Sequence, residues 1–180
     1  MNRKTKFVFA VGLVLVLFTS CGKNNSTKEE AYKIITVESN WFDVSYLKDK
    51  TYIIEEPNSS QGNVEYLIIG EERSILFDTG SGENAPENGN KIKHIVDQLT
   101  DLPTTLLLSH FHFDHNQNIA EFEHVSFPDV PFLRQRVSNE DVYSFSAEDL
   151  FSGDYPAEVK VNDWLPLNED IDLGNKIIQL

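Results

Sequence analysis

Runs of apolar residues alternate with polar turns from residue 33 onward, and their spacing predicts a mixed α/β order. Lys33 to Val37, Phe42 to Leu47 and Thr51 to Glu55 read as strands, with Asn40 and Lys48-Asp49-Lys50 as turns. Val64 to Ile69 and Ser74 to Phe77 flank Gly70-Glu71-Glu72-Arg73 and predict a hairpin of buried strands. A loop rich in Gly, Asn, Glu and Pro, Gly80 to Asn90, leads to a helix over Lys91 to Leu99. There Ile92, Ile95, Val96 and Leu99 form one apolar stripe, and Asn90 is the expected N-cap. Thr104 to Leu108 is a short apolar strand after Pro103. Further on, Asn118 to Phe122 suits a short helix, Val125 to Phe127 a strand and Ser146 to Phe151 a turn or two of helix. Asp163 to Leu180 reads as strand pieces around a Gly174-Asn175 turn, with Lys176 to Leu180 a strand at the end of the chain.

The first twenty residues follow a different pattern. Arg3, Lys4 and Lys6 precede the apolar run Phe7 to Phe18, which is too short to span a bilayer and has the build of a secretory signal peptide. Phe18-Thr19-Ser20-Cys21 resembles the lipobox of bacterial lipoproteins, with Phe18 in place of the usual Leu. That resemblance implies lipidation at Cys21 and an exported chain held at the cell envelope membrane. Residues 21–30, polar after Cys21, would be its flexible tether, leaving 31–180 for one domain.

Charge and cysteine content narrow the chemistry. Without residues 1–20, which hold three basic groups and no acid, the formal charge moves from −14 to −17. So acidic a surface repels phosphate backbones, which excludes nucleic acid as a partner. The one cysteine is Cys21, so any metal in the folded part must be held by histidine and carboxylate.

Such a donor set occurs once, in His110-Phe111-His112-Phe113-Asp114-His115, at the carboxyl end of the strand Thr104 to Leu108. Sites in α/β sheets collect at such ends. Alternation along a chain leaving a strand leans His110, His112 and Asp114 to one side. His115 falls out of phase, and a turn there would carry it toward a neighbouring centre. These nitrogen and oxygen donors suit zinc, iron or manganese rather than Cu(I).

The run resembles the signature of the metallo-β-lactamase superfamily. Phe77-Asp78-Thr79-Gly80 is similar to the family's upstream Asp-Thr-Gly turn, and Asn63 fits the start of its strand. The resemblance covers Ile34 to Leu180 and implies the N-terminal part of a four-layer αββα sandwich with its second half incomplete. It further implies that His110 and His112 hold a first metal, that Asp114 and His115 hold a second, and that Asp78 supports the ligand loop from behind. Two zinc ions are expected in the complete fold. His115 directly after Asp114, with no cysteine, resembles the glyoxalase II, lactonase and class B3 lactamase type.

Function follows from that resemblance as an expectation: metal-activated water attacks an ester, lactone, thioester or lactam carbonyl of a small molecule. Asp114 is expected to orient that water and shuttle its proton. The family completes its ligand set with a later histidine, aspartate and histidine. His94 lies on the predicted helix and His124 comes too soon after the run, so the sequence is expected to stop short of the third ligand. Two protein ligands per metal predict weak metal binding and little turnover. The alternative is a lipid-anchored binding protein that keeps half of the fold without catalysis.

Overall fold

The computed structural model describes residues 32–83, 91–151 and 158–179. The signal peptide, Cys21 and its tether, and the expected N-cap Asn90 lie outside these residues. In chain order the strands begin with β1 (Lys33–Ile35), β2 (Asp43–Lys48), β3 (Thr51–Glu55), β4 (Val64–Ile69) and β5 (Ser74–Phe77). Helix α1 (Ile92–Leu99), β6 (Thr104–Leu107), α2 (Phe113–Asn116) and a 3-10 turn (Ile119–Glu121) follow. Then come β7 (Val125–Pro128), α3 (Pro131–Arg134), β8 (Val142–Ser144) and α4 (Ala147–Leu150). The described chain closes with β9 (Glu158–Lys160), β10 (Asp163–Leu165), β11 (Asp170–Asp172) and β12 (Ile177–Gln179). Among the described residues no helix is long and apolar enough to cross a membrane.

One sheet of eight strands, in the order β1-β2-β3-β4-β5-β6-β7-β10, organises the molecule. Strands β1 to β5 pair antiparallel, and β5, β6, β7 and β10 run parallel. The antiparallel part follows from its turns. Asp49 and Lys50 take φ of 47° and 53° between β2 and β3, the left-handed pair that tight hairpins need. The parallel part requires a crossover, and α1 supplies it between β5 and β6.

Alternation along the strands divides the sheet into two faces. On one, Val44, Ile54, Leu67, Leu76 and Leu106 pack against Ile92, Ile95 and Val96 of α1 in the main core. Full burial of each such aliphatic chain stabilises by about 1.5–3 kcal/mol. On the other, the β11–β12 hairpin lays Ile171 and Leu173 over Ile75 and Leu107. Gly70 makes that contact possible, because a Cβ there would meet Leu173 O at 2.1 Å.

Several expectations shift. Strand β4 is buried on one face only, since Val64 is 38 % and Tyr66 43 % exposed. The helix expected over Asn118 to Phe122 is a single 3-10 turn, and α1 starts at Ile92 with Lys91 at its N-cap and no side-chain cap. Residues 128–160 carry no clear period in sequence, yet α3 and the β8–β9 pair form there. Helix α4 is legible from its capping box, in which Ser146 and Asp149 exchange side-chain and backbone bonds.

Candidate metal centre

Two adjacent parallel strands, β5 and β6, end at the same edge of the sheet and deliver Asp78 and Ser109-His110 side by side. The ladder runs one step past the strands, with Asp78 N donating to Leu107 O at 2.9 Å. Asp78 then turns with φ 64°, a left-handed conformation that aspartate tolerates better than most residues.

His110 and His112 point to solvent while Phe111, between them, turns inward. Its ring meets Phe127 at 5.1 Å, Tyr143 at 5.0 Å and Phe145 at 5.5 Å, so an aromatic cluster holds the run from behind. Alternation therefore explains His110 and His112. It does not explain Asp114, because the chain leaves the extended state at His112 and makes the helical turn α2. That turn, rather than strand alternation, brings Asp114 back beside the two imidazoles.

The outcome is one group of donors. Ligand atoms of His110, His112 and Asp114 all lie within 4.8 Å of one another. The half-buried His115 stands alongside, its Nε2 3.6 Å from Asp114 Oδ2 and its ring 4.0 Å from that of His110.

Asp78 orients these rings. Its Oδ2 accepts from His115 Nδ1 at 2.9 Å and from Ser109 Oγ at 2.7 Å, and its Oδ1 accepts from Ser109 N at 2.7 Å. A carboxylate oxygen only accepts, so His115 Nδ1 carries the hydrogen and Nε2 keeps its lone pair. Ser109 Oγ spends its hydrogen on Asp78 and receives His110 Nδ1–H at 3.0 Å, which leaves His110 Nε2 free in the same way. Burial, then the neighbouring His115 and His112, lower the His110 pKa from its ordinary value and favour neutral imidazole. Neutral imidazole is the ligating form. The site therefore offers a divalent cation convergent nitrogen and oxygen donors, and at His110 and His115 the free lone pair is set by a partner behind the ring.

The turn after Asp78 clamps α2. Thr79 N donates to His115 O at 2.8 Å, Gln117 N to Gly80 O at 3.2 Å and Asn118 Nδ2 to Thr79 O at 2.7 Å. Asn63 Nδ2 donates to Asp114 O at 2.5 Å.

The remaining histidines are elsewhere. His94 is exposed on α1, and His124 pairs with Asp163 at the opposite edge of the sheet. A cleft of about 890 Å³ opens at that opposite edge, lined by Arg73, Thr104, His124 and Asp163 among others, and contains none of the clustered donors.

Sequence reasoning passed over Ser109, Glu56 and Glu65. The available signal was phase: Glu65 falls in step with Leu67 and Ile69 on the buried face of β4, where a carboxylate is out of place.

Residues 61–130 match the family model described as Metallo-beta-lactamase superfamily. That segment, which holds Asn63, Asp78 and the run His110 to His115, is similar to the metallo-β-lactamase superfamily. Solved structures similar to this chain include MIM-1 from Novosphingobium pentaromativorans, at 22 % identity and a TM-score of 0.48, covering 74 % of this chain and 48 % of that one. BJP-1, a subclass B3 metallo-beta-lactamase of Bradyrhizobium japonicum, matches at 22 % identity and a TM-score of 0.48 over 74 % of this chain and 49 % of that one. MEM-A1, a subclass B3 metallo-beta-lactamase isolated from a soil metagenome library, matches at 22 % identity and a TM-score of 0.45 over 82 % and 51 %. The chain thus spans about half the length of the solved structures it matches. No curated protein matches the sequence significantly.

Proposed function

We propose that the chain is a metal-dependent hydrolase of small molecules whose scissile bond is an ester, lactone, thioester or lactam. The observation that carries this reading is the meeting of His110, His112 and Asp114 donors within 4.8 Å, beside His115. Zinc suits these donors, with iron or manganese as alternatives, and two zinc ions are the expected complement of the complete fold. When bound, such a cation supplies an acidified water and polarises a carbonyl.

The chain's own residues do the rest. His110 offers Nε2, its Nδ1–H held by Ser109, and His112 offers a ring nitrogen from a run that packing of Phe111 holds in place. Asp114 is the catalytic carboxylate: it orients the attacking water, takes its proton and returns it to the leaving group. Asp78 keeps His115 aligned for this exchange.

The N-terminal pattern supports an exported lipoprotein, with residues 1–20 removed as a signal peptide and the chain anchored to a membrane through lipidated Cys21.

Zinc titration of the full chain, alongside thioester, lactone and lactam substrates, tests the reading. Expected are zinc uptake that H110A/H112A abolishes and slow turnover of one substrate class. Zinc uptake without turnover would favour the non-catalytic binding protein. A chain that takes up no zinc would overturn the metal reading.

A further inference from the structure

Glu56 follows β3 at the buried edge of the sheet, fully shielded from solvent. Its carboxylate accepts from five donors: Trp41 Nε1 at 3.0 Å, Asn63 Nδ2 at 3.1 Å, Ser81 N at 2.8 Å, Ser81 Oγ at 3.0 Å and Gly82 N at 3.3 Å. A buried anion with so many donors holds each of them in place, since releasing any one leaves a polar group without water or partner. Three chain segments meet on it: the entry to β2, the entry to β4 and the loop after the Asp-Thr-Gly turn. Two of these reach the donor cluster. Asn63 uses its amide twice, on Glu56 and on the carbonyl of Asp114. The loop Ser81-Gly82 continues from Thr79 and Gly80, which bind His115 O and Gln117 N.

Glycine 80 shows how closely the carboxylate is built into that turn. With φ 74°, its backbone passes so near that an added Cβ would lie 2.6 Å from Glu56 Cδ. The turn is laid directly over the anion.

We infer that Glu56, through Asn63 and the 79–82 loop, is a positioning residue that sets the α2 turn and so the spacing of Asp114 and His115 from His110 and His112. This role rests on the metal reading above. Glu56 touches none of the four donor side chains, so its effect passes through backbone placement alone.

Cobalt(II) titration of the full chain, read by ligand-field absorption, tests it with E56Q, N63A and I95A. Glutamine keeps the volume but turns an NH2 group toward N–H donors, and N63A cuts the bridge to Asp114. Ile95, fully buried on α1, makes no side-chain hydrogen bond to this network and reports a general loss of stability. Urea unfolding without metal ranks the three variants. Expected is cobalt affinity weakened by about 10- to 100-fold in E56Q and N63A, with an altered absorption band, and unchanged in I95A. Wild-type affinity in both E56Q and N63A overturns the inference alone, as does equal weakening in I95A. Absence of cobalt binding by the wild type brings down the metal reading together with it.

Discussion

His115 Nδ1 and Asp78 Oδ2 lie 2.9 Å apart, and the same oxygen accepts from Ser109 Oγ at 2.7 Å, so one carboxylate serves two neighbouring imidazoles. Substitution by alanine would confuse this role with backbone strain, because Asp78 sits at φ 64°. Asparagine tolerates that conformation. It has one acceptor oxygen in place of two, so it cannot accept from Ser109 N as well as from Ser109 Oγ and His115 Nδ1. D78N is expected to fold and to bind cobalt about 10- to 100-fold more weakly, checked by competition with a chromophoric chelator.

Glycine 80 carries both a left-handed φ of 74° and the close approach to Glu56. G80A should therefore lose stability by on the order of 1–3 kcal/mol, from strain plus displacement of a buried anion. Equilibrium urea unfolding measures it. A variant as stable as wild type would show that the turn relaxes freely.

Glu65 is 1 % exposed, neither carboxyl oxygen has a hydrogen-bond partner, and its pKa is pushed up to about 9. Burial is the main cause, followed by the facing Glu56, Asp78 and Glu55 carboxylates. The folded chain therefore keeps a proton on Glu65 that the unfolded chain releases above its ordinary value of 4.5. Between those two values the native state binds more protons, so stability falls as pH rises. The contribution is full below pH 4.5, drops by on the order of 3 kcal/mol by pH 7, and keeps dropping toward pH 9. E65Q cannot titrate, and the wild-type-minus-E65Q difference in unfolding free energy should slope downward across this window. A flat difference would contradict a buried neutral acid.

The two outlying histidines offer a control. His94 is exposed on α1 and His124 pairs with Asp163 far from the donor cluster. H94A and H124A should take up zinc as the wild type does, while H110A should not. Zinc uptake lost in H94A or H124A would move the metal site elsewhere.

Much of this protein was legible in its sequence because the signals were local. Strands β3, β4 and β5 follow from short apolar runs broken by polar turns, and α1 from a stripe at helical spacing. The donor types crowd into six consecutive residues, so their chemistry needed no fold to be noticed. Where sequence reasoning missed, the deciding contact came from far along the chain. Alternation alone placed Asp114 with His110 and His112, yet the chain reaches that grouping through a helical turn clamped by Thr79, Gly80 and Asn63. No period in residues 128–160 announces β8 and β9, which exist because they pair with each other.

Sequence by itself determined which groups are available: imidazoles and carboxylates in one run, an acidic surface, and a single cysteine at residue 21. The resemblance pointed to Asp78 behind them, and tertiary structure alone added Glu56. Glu56 follows β3, Asp78 follows β5 and Glu65 lies on β4, and nothing along the chain says that the three are buried near one another. Folding of the sheet strips water from all three, and each then follows the partners left to it. Asp78 is held by imidazole and serine, Glu56 by five hydrogen-bond donors, and Glu65, with none, keeps its proton.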